Sequence, residues 1–202
     1  DFSHSNHYLN HKEKSEVRAM FGLPNTGRLA LFAGPLIARK NPDLLIRAFL
    51  HSRKEDYSLI LLGDGPLLAH CRNMAKNATN IFLPGKVHNV SDYLQITDLF
   101  VSASRSEGMP NGVLEALSFD VPVLLSDICA HKEILDLSPC SGLLFKLDDD
   151  VSLLENIKQS MTRIKPRDAS RGLVQEHFSA NKMSMGYQHL YQELILNNTL
   201  EP

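Results

Sequence analysis

The sequence has little of several features that mark specialised classes of protein. Only three of its 202 residues are cysteine, and they lie far apart without a Cys-x-x-Cys pair. A disulfide framework or a zinc site is therefore not expected, and a reducing, cytoplasmic setting is favoured. The sequence also lacks any apolar run of about 18 residues, the length that a membrane-spanning helix needs. The pattern predicts no such helix.

An excess of charge of one sign is missing as well. Lys and Arg number 21 and Asp and Glu number 23, so the formal net charge is −2. Nucleic-acid-binding domains usually have a basic excess or a basic stripe, so no nucleic-acid partner is expected. His4, His7 and His11 have helical spacing, but no second cluster completes four metal ligands. We therefore predict no metal bound to these histidines.

What the sequence does contain is an alternation of short apolar runs and helical periods. Six runs predict strands that are buried on both faces, at 28–33, 57–62, 80–83, 98–102, 122–125 and 142–145. Helical periods surround them, at 12–21, after an Asn41 N-cap, at 67–76, 90–96, 111–117, from about 131, and at 150–164, 167–177 and 181–196. This β-α-β rhythm predicts an α/β fold, a doubly wound parallel sheet of about six strands with C-terminal helices.

Two loops that follow strands are candidate binding segments, because ligands of such sheets bind beyond the carboxyl ends of the strands. The first runs from Gly34 to Asn41 and contains Arg39 and Lys40. It suits a phosphate, although an ordinary strand-to-helix turn with two solvated cations would have the same pattern. The second, Gly63-Asp-Gly-Pro66, is not a Gly-x-Gly-x-x-Gly fingerprint. Beside the first loop, it could line a nucleotide or be a plain turn.

The segment 104–116 is the most informative. Glu107 precedes a predicted helix and Glu115 lies about one turn inside it. The amides of Asn111, Gly112 and Val113 are first-turn donors that suit an anion. A carboxylate beside a diphosphate would be repelled, so we expect Glu107 to face neutral sugar hydroxyls. Glu115 is suited to accept from a vicinal diol, or else it only stabilises the helix electrostatically.

Ser104-x-x-Glu-Gly-Met-Pro-Asn, with seven residues between the two glutamates, resembles the Glu-x7-Glu signature of retaining GT-B glycosyltransferases, in particular of the group-1 class (family 4). Further segments follow in the family's order, at 33–41, 63–66, 83–85, 98–101, 122–127 and 178–179. The resemblance implies one half of a GT-B fold. It would comprise an interdomain linker and leading helix at 1–27, a Rossmann-like nucleotide-sugar-binding domain at 28–180, and a C-terminal helix and tail at 181–202.

The resemblance also implies roles for individual residues. Lys40 and Glu107 would be the catalytic residues, the lysine neutralising the departing phosphate and the glutamate contacting the transferred sugar. Glu115 would hold the ribose hydroxyls of a UDP-, GDP- or ADP-sugar donor, which is a substrate, and no metal or other cofactor would be needed. The remaining donor-binding positions would be Gly34, Arg39, Gly63, Lys86, Val87, Gly108, Met109, Pro110, Asn111, Gly112 and Val113.

The partners that the resemblance implies are an acceptor-side domain and a glycan, glycolipid or polysaccharide acceptor. The family's N-terminal Rossmann domain has no counterpart in this sequence, so we expect the chain alone to bind a donor without transferring its sugar. The whole protein would be cytoplasmic or peripheral at the inner face of the membrane. Two alternatives stay open: one half of a non-hydrolysing sugar-nucleotide epimerase, and a non-catalytic binding or regulatory module.

Two positions depart from the family's pattern. Pro35 stands where the family usually has an arginine, so one of two diphosphate cations is missing from its place. Arg39 has the reach to substitute for it. Asp120 stands where a glycine is common, and we expect it to tolerate a left-handed turn.

Overall fold

The computed structural model describes residues 9–51, 56–147, 149–162 and 170–178, and positions 182, 184, 185, 188, 191 and 192. The strands in these ranges are β1 (Arg28–Ala33), β2 (Tyr57–Leu62), β3 (Ile81–Gly85), β4 (Leu99–Ser102), β5 (Val123–Ser126) and β6 (Gly142–Phe145). The helices are α1 (His11–Met20), α2 (Pro42–His51), α3 (Leu68–Met74), α4 (Val90–Ile96), α5 (Asn111–Ser118), α6 (Cys129–Leu137), α7 (Asp150–Thr162) and α8 (Arg171–His177). All six predicted strands are confirmed. The predicted final helix and the linker start at 1–8 lie largely or wholly outside the described residues.

The six strands form one parallel sheet in the order β3-β2-β1-β4-β5-β6. Successive side chains of β1 enter different cores, Leu29 and Leu31 on one face and Ala30 and Phe32 on the other. This is why the strands are continuous apolar runs rather than alternating ones. The result is the predicted doubly wound, Rossmann-like sheet, in which strand order reverses between β1 and β4.

Helices cover both faces of the sheet. Leu153 and Ile157 of α7 join Leu44 and Phe49 of α2 in one core, whereas Val113 of α5 and residues of α4, α6 and α8 fill the other. Within the described ranges, no helix combines the length and the apolar character needed to cross a membrane.

The leading helix α1 is fixed near the amino ends of β1 and β4. The buried Arg18 guanidinium donates to the carbonyl oxygen of Gly27 at 2.9 Å and lies 3.4 Å from the Asp98 carboxylate. Asp98 in turn accepts from the backbone amide of Leu29 at 2.8 Å. These contacts place α1 away from the carboxyl ends of the strands, where the candidate site lies.

Two non-glycine residues adopt the left-handed conformation. Asp120 has a φ of 53°, as expected from the sequence, and its carboxylate accepts from the backbone amide of Ser170 at 3.2 Å. Asn41 was expected to be an ordinary N-cap of α2, but its φ is 51°. The ring of Pro42 disfavours a right-handed helical conformation at the preceding residue, and asparagine tolerates the left-handed one.

Candidate functional site

The loops that follow β1 and β4 meet at the point where strand order reverses. The Glu107 carboxylate joins them, because its Oε1 accepts from Nζ of Lys40 and its Oε2 accepts from Nη1 of Arg39 at 3.0 Å. The same Arg39 Nη1 also donates to the carbonyl oxygen of Ser106 at 2.7 Å. A backbone bond of 2.8 Å from the Arg105 amide to the Arg39 carbonyl oxygen holds the two loops together.

Burial differs sharply among the three charged side chains. The Glu107 side chain is 4% exposed, that of Lys40 is 16% exposed and that of Arg39 is 45% exposed. Burial alone would raise the pKa of Glu107, but hydrogen bonds from Lys40, Ser104 and Arg39, together with the lysine charge, leave that pKa below its usual value. Glu107 is therefore a carboxylate at neutral pH, and the cluster carries one net positive charge.

The start of α5 lies against this cluster. A small cavity there is lined by residues of β1, β4, the loops that follow them and the start of α5, among them Lys40, Glu107, Pro110, Gly112 and Val113. A Cβ on Gly112 would lie 2.9 Å from the carbonyl oxygen of Ala33 and 3.2 Å from the Phe100 ring. A glycine is therefore required where the helix crosses β1.

The expectation that three first-turn amides are open was wrong for two of them. The Asn111 amide donates to the Met109 carbonyl oxygen at 3.0 Å, and the Val113 amide donates to that of Pro110 at 2.9 Å. The turn that leads into α5 is tight enough to close these short-range bonds, which the sequence pattern does not reveal. Among the described residues, no acceptor pairs with the Gly112 amide, so it is the first-turn donor left for an anion.

A larger cleft of about 540 Å³ lies beside the first one, with Ala33 in the lining of both. Backbone bonds connect its loops: the Gly34 amide donates to Leu62, that of Leu36 to Asp64 and that of Gly63 to Gly85. Its other lining residues are Pro35, Gly65, Lys86, Val87 and Val90. The ends of β1, β2 and β3 and the loops that follow them thus form one connected floor.

Glycine is obligatory in this floor. Gly63 has a φ of 138°, and a Cβ there would overlap the Gly34 carbonyl oxygen. A Cβ on Gly65 would lie 2.6 Å from the carbonyl oxygen of Leu36. The second loop is therefore closely packed against the first, which argues against a plain surface turn.

Most of the predicted site residues thus fall into three groups. Gly34, Gly63, Lys86 and Val87 line the larger cleft, and Lys40, Glu107, Pro110, Gly112 and Val113 line the smaller one. Gly108, Met109 and Asn111 are exposed beside the smaller cleft, and Arg39 reaches it through Glu107. Glu115 is half-buried in α5, about 6 Å along the helix axis from Asn111.

The sequence interpretation missed a group of polar residues beneath Glu107. Ser102, Ser104, Ser126 and His131 are all buried, and hydrogen bonds connect them. The signal that could have identified them is position, because Ser102 and Ser126 end β4 and β5. Polar residues at the carboxyl ends of buried parallel strands face the ligand crevice of such folds.

In the described ranges, no cluster of three or more His, Cys, Asp or Glu side chains is arranged to hold a metal ion. Of the cysteines, Cys71 is buried, whereas Cys129 and Cys140 are exposed. Burial, together with the charge of Asp43, raises the pKa of Cys71 to about 11.

A doubly wound parallel sheet with a cationic crevice at its switch point places the chain in the Rossmann-like α/β class of structures. Sequence comparison gives the family: residues 13–170 match the model of the glycosyl transferases group 1, and the chain belongs to that family. A candidate teichuronic acid biosynthesis glycosyltransferase of Bacillus subtilis, TuaC, is 32% identical over 189 residues, which cover 91% of this chain and 46% of the relative. The chain spans about half the length of the curated relatives it matches.

Solved structures confirm the fold. A glycosyltransferase from Rickettsia africae aligns with a TM-score of 0.81 at 16% identity, over 93% of this chain and 53% of the other. Anabaena HepE in complex with UDP and glucose aligns with a TM-score of 0.77 at 14% identity, over 91% and 53%. The predicted architecture, one half of a GT-B fold, agrees with these alignments.

Proposed function

We propose that this chain binds the nucleotide-sugar donor of a retaining, metal-independent glycosyltransferase that builds a polysaccharide, glycolipid or other glycan. The observation that carries the proposal is the Glu107–Lys40–Arg39 cluster at the switch point of the sheet, beside the larger cleft. Membership of the group 1 family supports transfer rather than epimerisation as the reaction.

The two clefts match the two halves of such a donor. The larger cleft has glycine backbone, Val87 and Val90 in its lining and suits a flat, partly apolar nucleoside. The smaller cavity, of about 10 Å³, is too small to enclose a diphosphate, but it is lined by Lys40 and Gly112, whose ammonium and amide suit a diphosphate that lies against them. Because Ala33 lines both cavities, a single extended molecule in the larger cleft can reach these donors.

The charges of the site suit stabilisation of the diphosphate that leaves in the proposed reaction. When the sugar leaves, negative charge develops on the diphosphate, and a fixed cation together with a helix N-terminus stabilises it. Lys40 supplies that cation on a side chain that is 16% exposed and already held by Glu107. Glu107, whose charge Lys40 and Arg39 balance, is then available to orient hydroxyls of the transferred sugar.

Relatives and fold neighbours supply independent support. TuaC is described as acting in teichuronic acid biosynthesis, and HepE was solved with UDP and glucose. We extend from these proteins a nucleotide-sugar donor and a glycan or lipid-linked acceptor. Transfer by this chain alone is not expected, since the acceptor would be presented by a second domain.

Calorimetry tests donor binding directly. The 202-residue chain is titrated with UDP, GDP and ADP, and then with UDP-glucose, UDP-N-acetylglucosamine, GDP-mannose and ADP-glucose. We expect one nucleotide to bind below millimolar concentration and its sugar ester to occupy the same site competitively. If none of the seven binds to the folded chain at that concentration, the proposal fails.

A variant of Glu115 tests the ribose assignment. Glu115→Ala is expected to weaken binding of the preferred nucleotide by roughly 1–3 kcal/mol, the effect of losing a hydrogen bond to a charged group. The 2′-deoxy analogue should bind the wild type more weakly than the ribonucleotide does. In Glu115→Ala, the two nucleotides should bind with equal affinity. Glu155→Ala, which alters an exposed glutamate of α7, is the matched control. Equal ribose discrimination in the wild type and Glu115→Ala contradicts the assignment.

A further inference from the structure

A chain of buried hydrogen bonds runs beneath the candidate site, from α6 to Glu107. His131 is 0% exposed, and its Nδ1 lies 2.9 Å from the carbonyl oxygen of Ser126. The Ser126 hydroxyl donates to the Ser104 carbonyl oxygen at 2.6 Å. Ser104 in turn hydrogen-bonds to the Glu107 carboxylate. The chain thus crosses from β5 to the loop after β4 and ends on a residue of the site.

The geometry fixes the direction of each bond. A carbonyl oxygen can only accept, so Nδ1 of His131 must carry the hydrogen that faces Ser126. The Ser126 hydroxyl, 3.2 Å from Nδ1, can accept from the same N–H while it donates to Ser104. Nε2 of the neutral ring is then an acceptor, and among the described residues it has no partner although it is buried.

An acceptor buried without a partner destabilises a fold, so packing alone is a poor reason for a histidine at this position. An apolar side chain of similar volume would avoid the loss. The feature that an apolar residue cannot supply is the Nδ1–H bond to the end of β5. Ser104 and Ser126 are also 0% exposed, and in such a low-dielectric interior hydrogen bonds restrict orientation more strongly than they do in water.

We propose that His131 and Ser126 are positioning residues that act through Ser104 and hold the Glu107 carboxylate in the orientation in which it contacts the transferred sugar. This inference rests on the proposed function. Lys40 and Arg39 balance the charge of Glu107, whereas Ser104, itself bonded by Ser126, holds the carboxylate from the buried interior. The Ser104 contact uses neither cation, so an anion can engage the two cations without breaking it.

The test compares a nucleotide with its sugar ester, because Glu107 is assigned to the sugar alone. Kd is measured for the preferred nucleotide and its ester from the panel above, with Glu107→Ala as the reference for loss of the sugar contact. Ser126→Ala and His131→Ala are expected to change the ratio of the two Kd values in the same direction as Glu107→Ala, by up to about tenfold. Their Kd for the bare nucleotide should stay within about twofold of the wild-type value.

His131→Asn is the rescue variant, because the asparagine amide nitrogen can take the place of Nδ1 and donate to Ser126. It should keep the wild-type ratio, whereas His131→Gln, whose amide nitrogen reaches the position of Nε2, should not. If His131→Ala does not fold, the pair of Asn and Gln variants together with Ser126→Ala still decides the question. A ratio that stays at the wild-type value in Ser126→Ala and His131→Gln overturns the proposal, as does a parallel loss of both affinities.

Failure of the proposed function gives a different result, because then no nucleotide of the panel binds even the wild type. A nucleotide that binds while Glu107→Ala leaves the ratio unchanged overturns only the sugar contact, and with it this inference. The ring nitrogens provide a readout that needs no ligand. ¹⁵N NMR should show His131 as the neutral Nδ1–H tautomer, and the Nε2–H tautomer would contradict the direction of the chain.

Discussion

Removal of the Lys40 ammonium should destabilise the fold through Glu107. Lys40→Met keeps most of the aliphatic stem but leaves a 4% exposed carboxylate without its closest cation. Breaking a buried ion pair costs roughly 3–5 kcal/mol when the remaining charge has no other partner. Arg39 and Ser104 remain on Glu107 here, so we expect a loss of about 2 kcal/mol in the free energy of unfolding.

The matched control removes the other cation of the same carboxylate. The Arg39 side chain is 45% exposed and its ion pair is open to solvent screening, so Arg39→Met should cost at most about 1 kcal/mol. The double variant Lys40→Met/Glu107→Gln should recover most of the loss, because no buried charge is left without its partner. A double-mutant cycle then gives a coupling of about 2 kcal/mol between Lys40 and Glu107.

Urea denaturation followed by circular dichroism measures these differences at pH 7. Because the folded-state pKa of Glu107 is lowered, its contribution to stability is present above about pH 4.3, its usual value, and is lost as the pH falls through the folded-state pKa. The difference between Lys40→Met and the wild type should therefore shrink in acid. Equal losses for Lys40→Met and Arg39→Met, or additive effects in the cycle, would refute the assignment of Lys40 as the main partner.

Three further predictions concern other parts of the molecule. Burial lowers the pKa of His131; the Lys40 charge lowers it further, while the Ser126 hydrogen bond and the Glu107 charge oppose the shift. As the pH falls below about 6.5, the wild type should therefore lose more stability than His131→Asn. Urea midpoints between about pH 7.5 and 5 measure the difference. Gly63→Ala should lower the stability by at least about 2 kcal/mol in thermal unfolding, because its Cβ overlaps backbone at a positive φ, whereas Gly108→Ala, with no atom within 4 Å, should change it little. A thiol reagent at pH 8 should modify the two exposed cysteines of the native chain and spare Cys71, whose pKa is about 11; rapid reaction of all three would contradict its burial.

The sheet was predictable because its strands are buried on both faces. In Arg28–Ala33 and Tyr57–Leu62, almost every residue faces a core, so each strand is recognisable in the sequence as a nearly continuous apolar run. Asp120 was also predictable, since its backbone conformation depends mainly on local sterics. The order of the strands was not, because residues that make a strand apolar do not specify which neighbour it pairs with.

The sequence predicted which residues gather at this crevice but not the contacts among them. Arg39 and Glu107 are 68 residues apart in sequence, and only the reversal of strand order between β1 and β4 brings their loops together. The general rule that the first amides of a helix lack partners predicts open amides at Asn111 and Val113. A tight local turn instead satisfies both. His131 has the sequence surroundings of a polar helical residue, and only tertiary packing makes it a buried one.

The contacts of Glu107 also resolve the electrostatic problem that the sequence raised. A carboxylate beside a diphosphate is unfavourable, and Pro35 removes one cation that the family's pattern would supply. The Lys40 side chain has three N–H donors and that of Arg39 has five. The contacts to Glu107 use one donor of each side chain. Each cation can therefore hold Glu107 and face an anion at the same time. We expect a diphosphate to bind on the outer side of the cations without displacing Glu107, with Arg39 supplying the charge that position 35 lacks.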